Sequence, residues 1–116
     1  TKQPHLIRMP LQPIFAMAGL WSPWSDGQTG LETFTVLTTD PRGALGDLHQ
    51  RMPVILDQAH WANWLDPDSK PDPLLALLEP RTADELEIFP VSDRVNSVSN
   101  DDPGCANPAP YQQSLI

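Results

Sequence analysis

Fourteen of the 116 residues are proline, more than twice the usual share of about 5%. Proline has no backbone donor and a fixed φ. At this density it forbids a long helical bundle and a broad run of central strands. What remains is short elements separated by rigid turns. Glycine numbers only 6, so neither a collagen nor a flexible-linker composition fits. The length suits one small domain and is too short for two. A hydrophobic share of 40% lies far above that of a disordered chain.

The net charge of −8 is unevenly spread. Residues 1–51 balance Lys2, Arg8, Arg42 and Arg51 against Asp26, Glu32, Asp40 and Asp47. The whole excess falls in residues 52–116, where eleven acids meet Lys70, Arg81 and Arg94. Phosphate binding rests on Lys and Arg, so any nucleic-acid site must be local and lie mainly in the first half. No apolar run approaches the ~18 residues of a membrane span, so no membrane contact is expected. One cysteine, Cys105, forms neither an internal disulfide nor a thiolate cage, which points to a reducing, cytoplasmic setting. The sequence begins with Thr1 rather than Met, which suits a processed product or a piece of a longer reading frame.

Along the chain, Pro4–Arg8 reads as an edge strand. The apolar run Ile14–Trp21, flanked by Pro13 and Pro23, reads as a buried strand. A loop is expected from Ser22 to Gly30. Thr33–Thr39 carries the strongest strand pattern and is expected to pair antiparallel with the first run. Asp40 with Pro41 suits the start of a short helix holding Leu45 and Leu48. Pro53–Leu56 reads as a short buried strand. Asp57 then opens a helix through Leu65, with Trp61, Trp64 and Leu65 on one apolar stripe and Leu56 stapled to Trp61. Asp72-Pro73 opens a third helix over Leu74–Leu78, and Thr82 with Glu85 forms a capping-box pattern. Leu86–Ser92 reads as a strand, and Asn96 onward as loop or tail. The order implies a mixed α+β domain. The run at 14–21 is apolar on both faces and needs neighbours on both sides, which the chain does not obviously supply.

The segment His49-Gln50-Arg51-Met52-Pro53 is the best candidate site. Imidazole moves protons near neutrality, and the guanidinium fork suits phosphate or carboxylate. The same pair can equally well tie down a loop. His5, His49 and His60 are scattered without metal-ligand spacing, so no metal is expected. Trp61 and Trp64, at helical spacing, read as core. Trp21 and Trp24 flank a loop and are the tryptophans available to stack a base. Thr38 and Thr39 lie at a strand end, where they either meet a ligand or cap the next element. Cys105 reads as a spectator.

Several segments, in order and spacing, resemble the SOS response-associated peptidase (SRAP) family. They are Lys2-Gln3-Pro4, the Phe15–Trp21 run, Glu32–Thr39, His49–Leu56, Trp61 with Trp64-Leu65, Val95-Asn96-Ser97, and Asn100–Pro103. The family motif usually has Asp or Glu where this chain has Gln50. The resemblance implies a curved, barrel-like antiparallel sheet flanked by short helices. Residues 1–103 would be the C-terminal part of an SRAP domain and 104–116 a proline-rich, loosely ordered tail.

Family members bond covalently to abasic sites in single-stranded DNA through an amino-terminal Cys. Its amine and thiol trap the sugar aldehyde as a thiazolidine, and the Cys is exposed by autoprocessing. By the resemblance, His49 is the active-site histidine, Thr38 lines the same pocket, and Arg51 holds DNA phosphate; Trp21, from its own place beside a loop, is a further candidate DNA contact. The expected partner is abasic single-stranded DNA, with no cofactor, for a cytoplasmic monomer associated with the nucleoid when bound. The family's nucleophilic Cys, pocket Asn and catalytic Glu lie upstream of the Lys-Gln-Pro segment, so this stretch is expected to be inactive alone. The alternatives are a noncovalent single-stranded DNA binder, an inactive remnant, or a peptidase with His49 as base.

Overall fold

A computed structural model describes residues 2–79 and 85–112. In chain order the strands are β1 (His5–Arg8), β2 (Ala16–Met17), β3 (Gly19–Ser25), β4 (Gly30–Val36), β5 (Thr38–Thr39), β6 (Met52–Pro53), β7 (Ile55–Leu56) and β8 (Glu87–Pro90). The α-helices are α1 (Trp61–Leu65) and α2 (Pro71–Ala76). The chain forms two units, Ile14–Ala83 and Thr1–Pro13 with Asp84–Ile116.

The Ile14–Ala83 unit is organised by a backbone triangle. The Ala18 N–H donates to the Val54 carbonyl (2.8 Å), the Val54 N–H to Leu37 (2.9 Å), and the Leu37 N–H to Ala18 (2.9 Å). From this node radiate three antiparallel two-stranded arms: β2 with β7, β3 with β4, and β5 with β6. Each strand therefore exchanges one partner for another at the node. Ala18 is fully buried and Val54 nearly so; with Leu56 they form the core, against which Leu37, Trp61, Trp64, Leu77 and Leu78 pack. A small residue at Ala18 lets three backbones converge, and the aliphatic and indole side chains close over it.

Short helices complete this core. Asp57 is extended, a 3-10 turn covers Gln58–His60, and α1 follows. Trp61 and Trp64 face the core as their spacing implies, and both indole N–H groups are used. Trp61 packs on the cluster that contains Leu56, as the expected staple requires, and its Nε1 also donates to the Leu56 carbonyl (3.0 Å), while Trp64 Nε1 donates to the Gly19 carbonyl (3.2 Å). Leu65, by contrast, is exposed. α2 begins at Pro71, earlier than expected. Prolines at its first and third positions cost nothing, because donors in a first turn have no intrahelical partner.

The hairpin arm departs most from the sequence reading. β3 runs through Pro23 to Ser25, so the expected loop shrinks to a tight turn. Asp26 Oδ1 accepts the N–H groups of Gln28 and Thr29 (2.9 and 2.7 Å), and Gly27 takes φ +90°, where a side chain would be strained. The pairs Trp21–Phe34 and Trp24–Leu31 set the register. The run at 14–21 is not a buried strand. It breaks at Ala18, and Ile14 and Trp21 are exposed because each strand has one neighbour. Among the described residues no sheet exceeds two strands. The expected barrel-like sheet is therefore not formed, since partner exchange at the node stops any ladder from reaching a third strand. Antiparallel pairing and the mixed helix-and-strand composition are as expected.

In the second unit, β1 pairs antiparallel with β8, from His5 opposite Pro90 to Arg8 opposite Glu87. Arg8 Nε donates to Glu87 (2.7 Å) and its guanidinium lies over the Phe89 ring at 5.2 Å. Val91 is buried and donates to Pro4 (3.0 Å), while Gln3 Nε2 donates to the Val91 carbonyl (2.8 Å). A loop knot follows. Arg94 pairs with Asp102 (2.8 Å), Asn100 Nδ2 donates to the Arg94 carbonyl (2.9 Å), and Asp102 caps the 3-10 turn Pro103–Ala106. Cys105 is half-buried there, its thiol donating to the Asn100 carbonyl (3.5 Å). The capping-box pattern at Thr82 lies outside the described residues.

Candidate functional site

The β5–β6 arm pairs Thr38 with Pro53 and Thr39 with Met52. One step further along that register, Asp40 stands across from Arg51. The arm thus delivers an acid and a base to adjacent positions. Arg51 NH1 donates to Asp40 Oδ1 (3.0 Å), Nε to the Thr38 hydroxyl (3.2 Å), and NH2 to the Thr38 carbonyl (2.7 Å). The guanidinium is fixed on three sides, and among the described residues three of its five N–H donors are engaged. The rest are available to an anion, and the side chain is about half exposed, at 46%.

His49 precedes this anchor. A 3-10 turn over Gly43–Asp47, with Leu45 buried, ends in two N–H groups, those of Leu48 and His49, that both donate to the Leu45 carbonyl (3.0 Å each). The expected helix start at Asp40 is displaced to Arg42, because the Asp40 carboxylate is engaged with Arg51. His49 Nδ1 lies 2.8 Å from the Arg51 carbonyl and 3.0 Å from the Arg51 N–H. A protonated Nδ1 donates to the carbonyl, and a bare one accepts from the amide. The ring keeps an anchor in either tautomer, so Nε2 can gain or lose a proton without the ring losing its place. The imidazole is exposed to solvent.

Three of the four residues singled out in the sequence therefore come together: His49, Arg51 and Thr38. Thr38 acts on Arg51 and is a positioning residue here. Trp21 sits instead on β3 opposite Phe34, outside this hydrogen-bonded cluster. Asp40 was missed as a site residue. Its signal was available in principle, as an acid on the strand leading to the arm, but only the pairing register brings it to Arg51.

Residues 1–98 match the family described as SOS response associated peptidase (SRAP). The chain belongs to the SRAP family. It is 44% identical over 102 residues to the abasic site processing protein YoaM of Bacillus subtilis, covering 86% of this chain and 45% of that protein. It is 36% identical over 99 residues to the abasic site processing protein HMCES of Gallus gallus, covering 82% of this chain and 29% of that one. A Bacteroides thetaiotaomicron protein of known structure superposes with a TM-score of 0.79 at 31% identity, covering 94% of this chain and 49% of its own. The SRAP-like fold is thus supported by structure as well as sequence. The chain spans about half the length of the bacterial relatives it matches.

Proposed function

We propose that this chain supplies the histidine-bearing portion of an abasic-site-processing domain acting on single-stranded DNA. The observation that carries the reading is the His49–Arg51 pair, in which a proton-transfer group is locked to the backbone of a phosphate-binding one. Relatives named as abasic site processing proteins support it.

The open form of an abasic sugar presents an aldehyde. An amine adds to it, the carbinolamine loses water to give an imine, and a neighbouring thiol adds to the imine carbon and closes a thiazolidine. Loss of water needs a proton delivered to the departing hydroxyl, and resolution of the ring needs the reverse. His49 Nε2 performs that transfer. Arg51, through its unengaged N–H groups, holds the adjacent phosphate and so fixes the sugar relative to the imidazole. Thr38 and Asp40 set the fork's orientation. The amine and thiol belong to the family's amino-terminal Cys. Cys105 is no substitute, because it has no free α-amine and its thiol is engaged with Asn100.

The test is a chimera in which this chain replaces the matching stretch of YoaM, assayed by denaturing gel with an abasic single-stranded oligonucleotide. The chimera gives a crosslinked band, and His49→Ala slows its formation by about a hundredfold, within the usual range for general acid–base groups. An unchanged rate refutes the role of His49. A band from the unmodified chain alone refutes the assignment of the nucleophile.

A further inference from the structure

Arg51 has two partners of unlike charge. Thr38 is neutral and takes the Nε side of the fork, where Nε donates to its hydroxyl (3.2 Å) and NH2 to its carbonyl (2.7 Å). Asp40 is an anion and takes one N–H of NH1 (3.0 Å). The bonds to Thr38 already orient the planar guanidinium and leave its charge intact. The carboxylate is not needed for orientation alone, and it opposes that charge. The surrounding sequence adds no positive field, since residues 38–53 set Arg42 and Arg51 against Asp40 and Asp47.

Among the described residues, one N–H on NH1 and one on NH2 are left for a ligand. A ligand oxygen on NH1 therefore shares that nitrogen with the Asp40 carboxylate. Two acceptors at ~2.9 Å from one planar nitrogen lie about 5 Å apart. The Asp40 side chain is 86% exposed, so water sets the dielectric there. At that separation in water, each pair of unit charges changes an affinity about fourfold at low ionic strength.

The effect grows with the charge of the ligand. A phosphodiester inside a strand carries one negative charge. A phosphomonoester at a strand end or on a nucleotide carries nearly two at neutral pH. A lone guanidinium rewards the second charge. Asp40, at a comparable distance, penalises it by a similar factor.

We propose that Asp40 is a specificity-determining residue of the phosphate site. It cancels the preference of Arg51 for doubly charged phosphomonoesters, so that the phosphodiesters of a strand interior compete on equal terms with strand ends, nucleotides and free phosphate. Hydrogen-bond geometry then selects where charge no longer does. This assignment rests on the reading of Arg51 as a phosphate ligand and adds the class of phosphate that the site accepts.

The test uses the full chain, isotope-labelled for amide spectra, and contains no abasic sugar. Dimethyl phosphate and monomethyl phosphate are titrated at low salt and about pH 7.5, where the monoester is mostly doubly charged. Amide shifts of Thr38, Thr39 and Arg51 report binding, and the remaining amides report that each variant is folded. In the parent chain the two affinities are expected to lie within about twofold of each other. Asp40→Asn raises affinity about fourfold for the diester and about sixteenfold for the monoester, so their ratio moves about fourfold. Asp40→Glu keeps the charge and keeps the parent's ratio. Arg51→Ala abolishes binding of both probes. A ratio left unmoved by Asp40→Asn, while Arg51→Ala still abolishes binding, overturns the role of Asp40 alone. A parent chain that already favours the monoester about tenfold, more than two charge pairs at this distance leave uncancelled, overturns it too. Binding that persists in Arg51→Ala, or its absence from the parent, overturns the reading of Arg51 and the role of Asp40 with it.

Discussion

The backbone triangle makes Val54 the residue whose truncation should do most damage. Its side chain is 2% exposed, and its N–H and C=O complete the bonds to Leu37 and Ala18. Val54→Ala keeps those backbone bonds and deletes two methyl groups. At ~0.8 kcal/mol per buried carbon, the transfer loss is about 1.6 kcal/mol. The three backbones cannot close in without breaking the triangle, so a residual void of about 40 Å³ at ~24 cal/mol per Å³ adds about 1 kcal/mol. The sum is about 2.5 kcal/mol. With a urea slope of about 1.5 kcal/mol per molar for a chain this small, the midpoint falls by more than about 1 M. The assay is urea unfolding followed by tryptophan fluorescence, since Trp61 and Trp64 pack on this cluster. Val98→Ala, at an almost fully exposed position, serves as the control and stays within about 0.5 kcal/mol of the parent. A midpoint shift for Val54→Ala no larger than that of the control would refute the view that the unit's stability is concentrated at the node.

Two further outcomes concern charge. Asp40→Asn removes the charge of an exposed ion pair (3.0 Å), so stability falls by less than about 1 kcal/mol, while the retained side-chain oxygen keeps the fork oriented and the lost negative charge lets a single-stranded oligonucleotide bind more tightly, as read by fluorescence anisotropy at low salt; Arg51→Ala removes that binding, and an oligonucleotide affinity unchanged by Arg51→Ala contradicts its phosphate role. The Asp26 carboxyl is held below its ordinary range by the Thr29 and then the Gln28 amide, so its support of the turn is complete above the ordinary aspartate range, declines as pH falls from there toward the lowered value, and is gone below it. Amide exchange at Gln28 and Thr29 should quicken across that window and lose this dependence in Asp26→Asn.

Much of the fold is legible locally. The spacing of Trp61 and Trp64 and the staple to Leu56 need only helical geometry, and both form. The strand at Glu87–Pro90 and the antiparallel hairpin follow from alternation. Where the reading fails, one cause recurs. Leu20, Trp21 and Phe34 look like core because apolar residues are usually buried. Burial, however, is a property of neighbours, and each hairpin strand has one. The same cause defeats the barrel. Strand propensity says that a segment is extended, but not that it will change partners at Ala18, Leu37 and Val54.

The site shows the same division more sharply. His49 and Arg51 were legible as candidates because their chemistry is intrinsic to the side chains and their spacing is short. Thr38 was marked as a pocket residue and Asp40 as a helix cap. In the structure both hold the guanidinium, from 13 and 11 residues away. That assignment is dictated by register alone. The Val54–Leu37 bond sets Thr38 against Pro53, which brings Asp40 opposite Arg51 and turns the Thr38 hydroxyl and carbonyl toward Nε and NH2. A slip of one residue would put Thr39 or Pro41 there, and neither offers a carboxylate. The buried triangle, which has no chemistry of its own, is therefore what makes the exposed cluster specific. Loosening Val54 should disorder Arg51 before it unfolds the chain.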